Sequence, residues 1–226
     1  MQAIILAAGK GIRMRPLTKN VPKPMLKIDN RPILEHTINA LPEEINEIII
    51  VIGYLGNKIK NYFGKKYKNR RIKYVVQKDL NGSGEALWCA KKYLKGKFLI
   101  LAADDLYYKN DLRKLIKYNL AILAHRAKNA SRFGVLKVDK NRNLRSFEEK
   151  PQGVKNKLVN TGVYMMDKRI FNYDLIKVRE EFLLPQTIFE MSKDFPIKIV
   201  KAEKWFPIGY PEDLKRADKI IGKFRN

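Results

Sequence analysis

The chain repeats a simple hydrophobic pattern. A short unbroken apolar run is followed by a turn rich in glycine or polar residues. A segment with apolar residues three to four positions apart comes next. The first run is Ala3 to Ala8, and others lie at 46–53, 71–77, 97–105 and 119–126. Continuous apolar runs of this length read as strands buried on both faces, as in a parallel sheet. Between them, residues 29–41, 54–63 and 85–93 read as helices. In the first of these, Ile33, Leu34, Ile38 and Leu41 share one face, and Pro32 suits a first helical turn. Strands alternating with helices predict βαβ units.

The pattern changes near residue 131. Residues 132–139 and 144–151 read as a hairpin turning at 139–143. A strand at 159–166, a helix ending at Lys193, an edge strand at 195–201 and a C-terminal helix at 211–224 follow. The expected fold class is α/β: a Rossmann-like three-layer α/β/α arrangement around a mixed, mainly parallel central sheet. A single domain is expected over residues 1–226, with one part at 1–118 and a second at 119–226.

Charge changes this picture little. Lys plus Arg is 47 against 23 Asp plus Glu, a net +24. The basic residues are spread along the whole chain. They are densest over 58–78, where Tyr62, Phe63, Tyr67 and Tyr74 interleave with them. That segment reads as a solvated helix end and loop whose field steers phosphates, and nucleic acid is not the expected partner. The single Cys89 allows no internal disulfide and fits a reducing, cytoplasmic compartment. The apolar runs fall far short of the ~20 residues that span a bilayer, so no membrane is expected. Gly9-Lys10-Gly11 interrupts the first run too early for a signal peptide. No His or Cys cluster points to zinc, and His36 reads as a core or surface residue.

Candidate chemistry begins where the first strand ends. Gly9, Gly11, Arg13, Arg15, Lys19 and Lys23 follow Leu6-Ala7-Ala8. Small residues let backbone N–H groups approach an anion, and fixed cations neutralise phosphate charge. The stretch reads as a triphosphate grip at the carboxyl end of a strand. Neither G-x-x-x-x-G-K-S/T nor G-x-G-x-x-G fits, because Ile12 follows Gly11 and Met14 stands where a third glycine belongs. Further on, Gln77 precedes Asn81-Gly82-Ser83-Gly84, an amide at a strand end before a helix start. An amide offers one donor and one acceptor to the imide edge of uracil or thymine. Asp104 and Asp105 end another strand, as hard oxygen ligands for Mg²⁺ do.

These motifs together resemble the sugar nucleotidyltransferases, or nucleotide-sugar pyrophosphorylases, in the single-domain form of glucose-1-phosphate uridylyl- and thymidylyltransferases. The family pattern L-A-x-G-x-G-T-R-x-x-P-L-T, then P-K-P, appears as Leu6 to Thr18 and Pro22-Lys23-Pro24. The chain also carries Phe133-Gly134-Val135, Glu149-Lys150-Pro151, Asn160-Thr161-Gly162-Val163-Tyr164 and Trp205 to Leu214 in family order. The resemblance implies transfer of a nucleotidyl group from a nucleoside triphosphate, UTP or dTTP by the Gln77 amide, to a sugar 1-phosphate. Arg13 and Lys23 would be catalytic. Leu6, Ala8, Gly9, Gly11, Gln77, Gly82 and Ser83 would bind the nucleotide. Gly134, Glu149 and Asn160 would fix the sugar, Lys150 its phosphate, and Asp104 the Mg²⁺ cofactor.

Three departures stand out. Ile12 replaces the usual Thr or Ser, Ala103 replaces a Gly, and Pro207 replaces the Asp that supplies the second metal ligand. If Asp104 alone does not suffice for the metal, Asp105 or Glu203 is expected to compensate. The family's appended β-helix or acyltransferase domain is not expected, because no hexapeptide repeat is seen. The alternatives are a cytidylyltransferase for a non-sugar phosphate and a nucleotide-binding pseudo-enzyme or regulatory subunit. Whether the chain forms a homo-oligomer stays open.

Overall fold

A computed structural model describes residues 1–224 of the protein. Its centre is four parallel strands. They are β1 (Gln2–Ala7), β2 (Glu47–Ile52), β3 (Arg70–Val76) and β4 (Lys97–Ala102), in the order β3-β2-β1-β4. Ile4 lies between Ile49 and Ile100, and Ile5 between Ile50 and Leu101. Successive side chains point to opposite faces, so both faces must be covered. Ile5, Ile50 and Leu101 pack with Leu34 and Ile38 of α1 (Ile33–Ala40), Ile59 of α2 (Gly56–Phe63) and Leu112 of α4 (Lys109–Leu115). Ile4, Ile49 and Ile100 pack instead with Leu87 of α3 (Ser83–Cys89) and Ile188 of α5 (Leu184–Met191). Each such fully buried side chain contributes roughly 1.5–3 kcal/mol from its removal from water. The three-layer α/β/α expectation is met.

The second part extends the same sheet with strands of mixed polarity. Its strands are β6 (Ala121–Asn129), β7 (Gly134–Val138), β8 (Leu144–Glu149), β9 (Lys155–Asp167) and β10 (Lys198–Lys201). The long β9 runs antiparallel to β4 and to β6, and so joins the two parts into one ten-stranded sheet. The β7–β8 hairpin turns through 139–143 as expected. There Asp139 Oδ1 accepts from the backbone N–H groups of Asn141 and Asn143, both at 2.8 Å.

Several boundaries differ from the sequence expectation. The strand expected over 97–105 stops at Ala102. Asp105 then begins β5 (Asp105–Tyr107), which pairs with β11 (Trp205–Pro207), Asp105 opposite Pro207. Asp104 therefore sits on a turn between two sheets. The helix expected from residue 29 starts at Ile33, because 27–28 and 31–32 pair across Asp29 and Asn30 at φ 47° and 61°. Short polar side chains tolerate that left-handed region best among non-glycine residues. Helix 85–93 is α3 followed by a 3₁₀ turn at Lys91–Tyr93. A third apolar cluster, with Met14, Ile33, Leu106, Ile208 and Ala217, fastens α6 (Pro211–Ile220) to the loop after β1. Among the described residues, no helix is long and apolar enough to cross a membrane.

Candidate active site

A cavity of about 650 Å³ opens at the carboxyl ends of β1 and β4. Such a crevice beyond parallel strand ends is where α/β sheets bind ligands. Ten of the residues singled out in the sequence lie on its wall: Leu6, Ala8, Gly9, Gly11, Arg13, Lys23, Gln77, Gly82, Ser83 and Asp104. Four do not. Gly134, Glu149, Lys150 and Asn160 lie on the neighbouring strands β7 to β9 and on the turn after β8.

The loop after β1 owes its shape to a few contacts. Gly11 has φ +61°, and a Cβ there would meet Lys23 Cβ at 3.0 Å and Thr18 Cγ2 at 3.2 Å. The buried Thr18 hydroxyl donates to Gly11 O at 2.8 Å. It thus supplies a hydroxyl hold on the loop where Ile12 has none. Ile12 itself is exposed on the cavity wall. A Cβ on Gly9 would meet nothing within 4 Å, so glycine keeps that part of the wall clear.

Across the floor, Lys23 Nζ lies 2.6 Å from Asp104 Oδ2. The Lys23 side chain is nearly enclosed and that of Asp104 is 37 % exposed. A buried ammonium needs such a partner, since an unpaired charge in the interior is costly. Asp105, the first residue of β5, turns the other way. Its carboxylate accepts from Trp205 Nε1 at 3.1 Å and from Ile208 N at 3.0 Å. Burial, reinforced by the charge of Asp104, pushes the Asp105 carboxyl well above the usual carboxylate range. Both acids expected to compensate for Pro207 are engaged by the protein: Asp105 by Trp205 and Ile208, and Glu203 by Lys114 away from the cavity wall.

Gln77 is buried, and its Nε2 donates to Gly82 O and to Glu85 Oε2, both at 3.1 Å. Its donor is thus engaged by the protein. Gly82 has φ +109°, and a Cβ there would lie 2.5 Å from Phe182 O. Phe182 N donates to Asn81 O at 2.6 Å and Leu184 N to Ser83 Oγ at 3.1 Å. The 181–184 segment so clamps the Gly82 turn, and Glu181 joins the cavity wall. Sequence reasoning missed this segment, whose only signal was its apolar Phe182-Leu183-Leu184 run.

Gly134 stands opposite Glu149, and a Cβ on Gly134 would lie 2.4 Å from the Phe147 ring. Lys150, at φ +46°, directs its Nζ to Glu149 Oε1 at 2.9 Å. Asn160 spans the β9 bulge, accepting from Gly162 N at 3.0 Å and donating to Tyr164 Oη at 2.6 Å. Gly162 packs on Ala102, a residue of the cavity wall.

The chain matches a known family over nearly its whole length. The family model described as nucleotidyl transferase covers residues 2–223. The chain belongs to this family. It is 37% identical over 226 residues to the bifunctional protein GlmU of Methanocaldococcus jannaschii, covering 98% of this chain and 54% of that protein. It therefore spans about half the length of the GlmU relatives it matches. It is 33% identical to the D-glycero-alpha-D-manno-heptose 1-phosphate guanylyltransferase of Campylobacter jejuni, covering 94% and 96% of the two chains. Among solved structures, a putative glucose-1-phosphate thymidylyltransferase from Bacillus anthracis superposes with a TM-score of 0.86 at 24% identity, covering 97% and 95%. A UDP-glucose pyrophosphorylase complexed with UDP-glucose gives 0.84 at 22% identity, covering 99% of each chain. These two likenesses establish the nucleotide-diphospho-sugar transferase fold.

Proposed function

We propose that the protein transfers a nucleotidyl group from a nucleoside triphosphate to a sugar 1-phosphate, releasing pyrophosphate. The observation that carries this reading is the single cavity gathering Gly9, Gly11, Arg13, Lys23, Gln77, Gly82 and Asp104. A phosphate monoester has its second pKa near ~6 and is a dianion at neutral pH, so no general base is required. One phosphate oxygen attacks the α-phosphorus, a new P–O bond forms, and the α–β bridging bond breaks. Pyrophosphate leaves with that electron pair. Two anions must be brought together, so positioning and charge neutralisation carry the catalysis.

Backbone around Gly9 and Gly11 cradles the phosphates, and Arg13 and Lys23 neutralise the triphosphate and the leaving group. Gln77 meets the base edge, and Gly82 and Ser83 lie against the nucleoside. Glu149, Asn160 and Gly134 fix the sugar and Lys150 its phosphate, from strand ends beside the cavity. The relatives act on more than one nucleotide by name, a guanylyltransferase among them. A Gln77 whose donor is held by Gly82 and Glu85 offers its acceptor to a base N–H, which uracil, thymine and guanine all possess. UTP or dTTP remains the first assignment and GTP the competitor.

Mg²⁺ fits the donor set. Asp104 presents a partly exposed hard-oxygen carboxylate to the cavity, and Mg²⁺ commonly takes one or two protein carboxylates with substrate phosphates and water. Among the described residues, no group of three or more His, Cys, Asp or Glu side chains is placed to hold a metal ion. Asp104 would hold the ion, which when bound supplies further neutralisation of phosphate charge. The test is pyrophosphate release with Mg²⁺ over paired panels of nucleoside triphosphates and sugar phosphates. Release with at least one pair supports the reading, and none with any pair favours a nucleotide-binding subunit without turnover.

A further inference from the structure

Beside the cavity, two guanidinium groups converge on one aromatic ring. Arg132 Cζ lies 4.7 Å from the centroid of Tyr210, and Arg13 Cζ lies 5.7 Å from the same centroid. Both also approach Gly209, a residue of the cavity wall. A Cβ there would be 2.9 Å from Arg132 Nη2 and 4.0 Å from Arg13 Nη1. The two arginines are not held equally. Arg132 pairs with the buried Asp213 at 3.5 Å and stands 5.9 Å from the Phe133 ring. Asp213 Oδ2 also accepts from Gly209 N at 2.9 Å and Tyr210 N at 3.0 Å. Arg13 has no ion pair among those found in the described residues, and its contact is the Tyr210 ring.

We infer that Arg132 is a positioning residue that holds Arg13 for the triphosphate, acting through Tyr210. This rests on the reading proposed above and deepens it. Arg13 lies on the loop of the first part, whereas Arg132 directly precedes Phe133 and Gly134 of the second. The shared ring ties the phosphate grip to the strand expected to carry the sugar. The Asp213 ion pair balances the charge of Arg132, so its influence on Arg13 passes through the shared Tyr210 ring.

The test is a double-mutant cycle read by equilibrium binding, with UTP, dTTP and GTP as the probes in the presence of Mg²⁺. Arg132→Met should weaken the tightest-bound probe roughly tenfold, the scale of one lost charge-assisted contact. Arg13→Ala should weaken it at least as much. In the Arg13→Ala background, Arg132→Met should add less than about twofold, because its route to the ligand is gone. A purely structural role would not produce that loss of effect. Tyr210→Leu, which removes the shared ring, should reproduce the Arg132→Met loss and serves where Arg132→Met does not fold. Undiminished affinity in Arg132→Met or Tyr210→Leu overturns the inference alone. So does a full tenfold loss persisting in the double variant. No binding of any probe to the wild-type protein overturns the functional reading and the inference together.

Discussion

Lys23 and Asp104 face each other at 2.6 Å across the cavity floor, 81 positions apart in sequence. One is the expected cation for the triphosphate and the other the expected ligand for its metal, so each sets the electrostatics of the other. Removing the ammonium leaves Asp104 an uncompensated anion beside an anionic substrate. Loss of one fixed stabilising charge at a transition state costs ~3 kcal/mol or more. Lys23→Ala should therefore lower turnover at least about a hundredfold, and Arg13→Ala likewise. Initial rates of pyrophosphate release measure both, and near-normal rates in both variants would refute their assignment.

Pro207 lies opposite Asp105 in the β5–β11 pair. It offers no ligand atom, and the Asp105 carboxylate is held by Trp205 Nε1 and Ile208 N. Pro207→Asp should restore a second carboxylate near Asp104 and lower the Mg²⁺ concentration needed for half-maximal rate. A Mg²⁺ titration of both proteins checks this. An unchanged requirement would mean that position 207 does not reach the metal.

Gly82→Ala combines a disfavoured φ of +109° with a Cβ 2.5 Å from Phe182 O. The 181–184 clamp must move to admit it. The expected loss is roughly 1–3 kcal/mol of stability, seen in a denaturant midpoint, with weaker nucleotide binding alongside. Full stability would show that the clamp yields freely.

Asp111 gives a pH prediction. Its carboxyl is fully buried, accepting from Glu203 N at 2.8 Å and Lys204 N at 3.0 Å, and burial raises its pKa despite those donors. The folded chain thus holds this proton to higher pH than the unfolded chain. Stability from this group is present below the unfolded carboxylate pKa and falls as pH rises through the shifted one. Asp111→Asn can still accept both backbone N–H groups but does not titrate. Denaturant midpoints across the carboxylate range should show wild type losing ground to the variant as pH rises. Parallel curves would contradict the assignment.

Much of this was legible in the sequence, for physical reasons. The apolar runs of β1, β2 and β4 mark strands covered on both faces, and the glycine loop, Gln77 and Asp104 announce themselves at strand ends. What escaped notice depended on contacts between distant segments. Glu181 reaches the cavity because Phe182 N bonds Asn81 O, a partner 101 positions earlier. The break at Ala103-Asp104 needs the β5–β11 pair, which no local periodicity foretells. Arg132 reads as one of many surface cations until Tyr210 and Asp213 are brought beside it. The turn at Asp29-Asn30 was hidden by helical spacing that runs straight through it.

The most direct measurement is pyrophosphate release by the wild-type protein with Mg²⁺, over UTP, dTTP, GTP, CTP and ATP paired with sugar 1-phosphates and with choline- and inositol-type phosphates. Turnover with a sugar 1-phosphate, fastest with UTP or dTTP, is the result expected. Turnover confined to a non-sugar phosphate, or none with any pair, would contradict it.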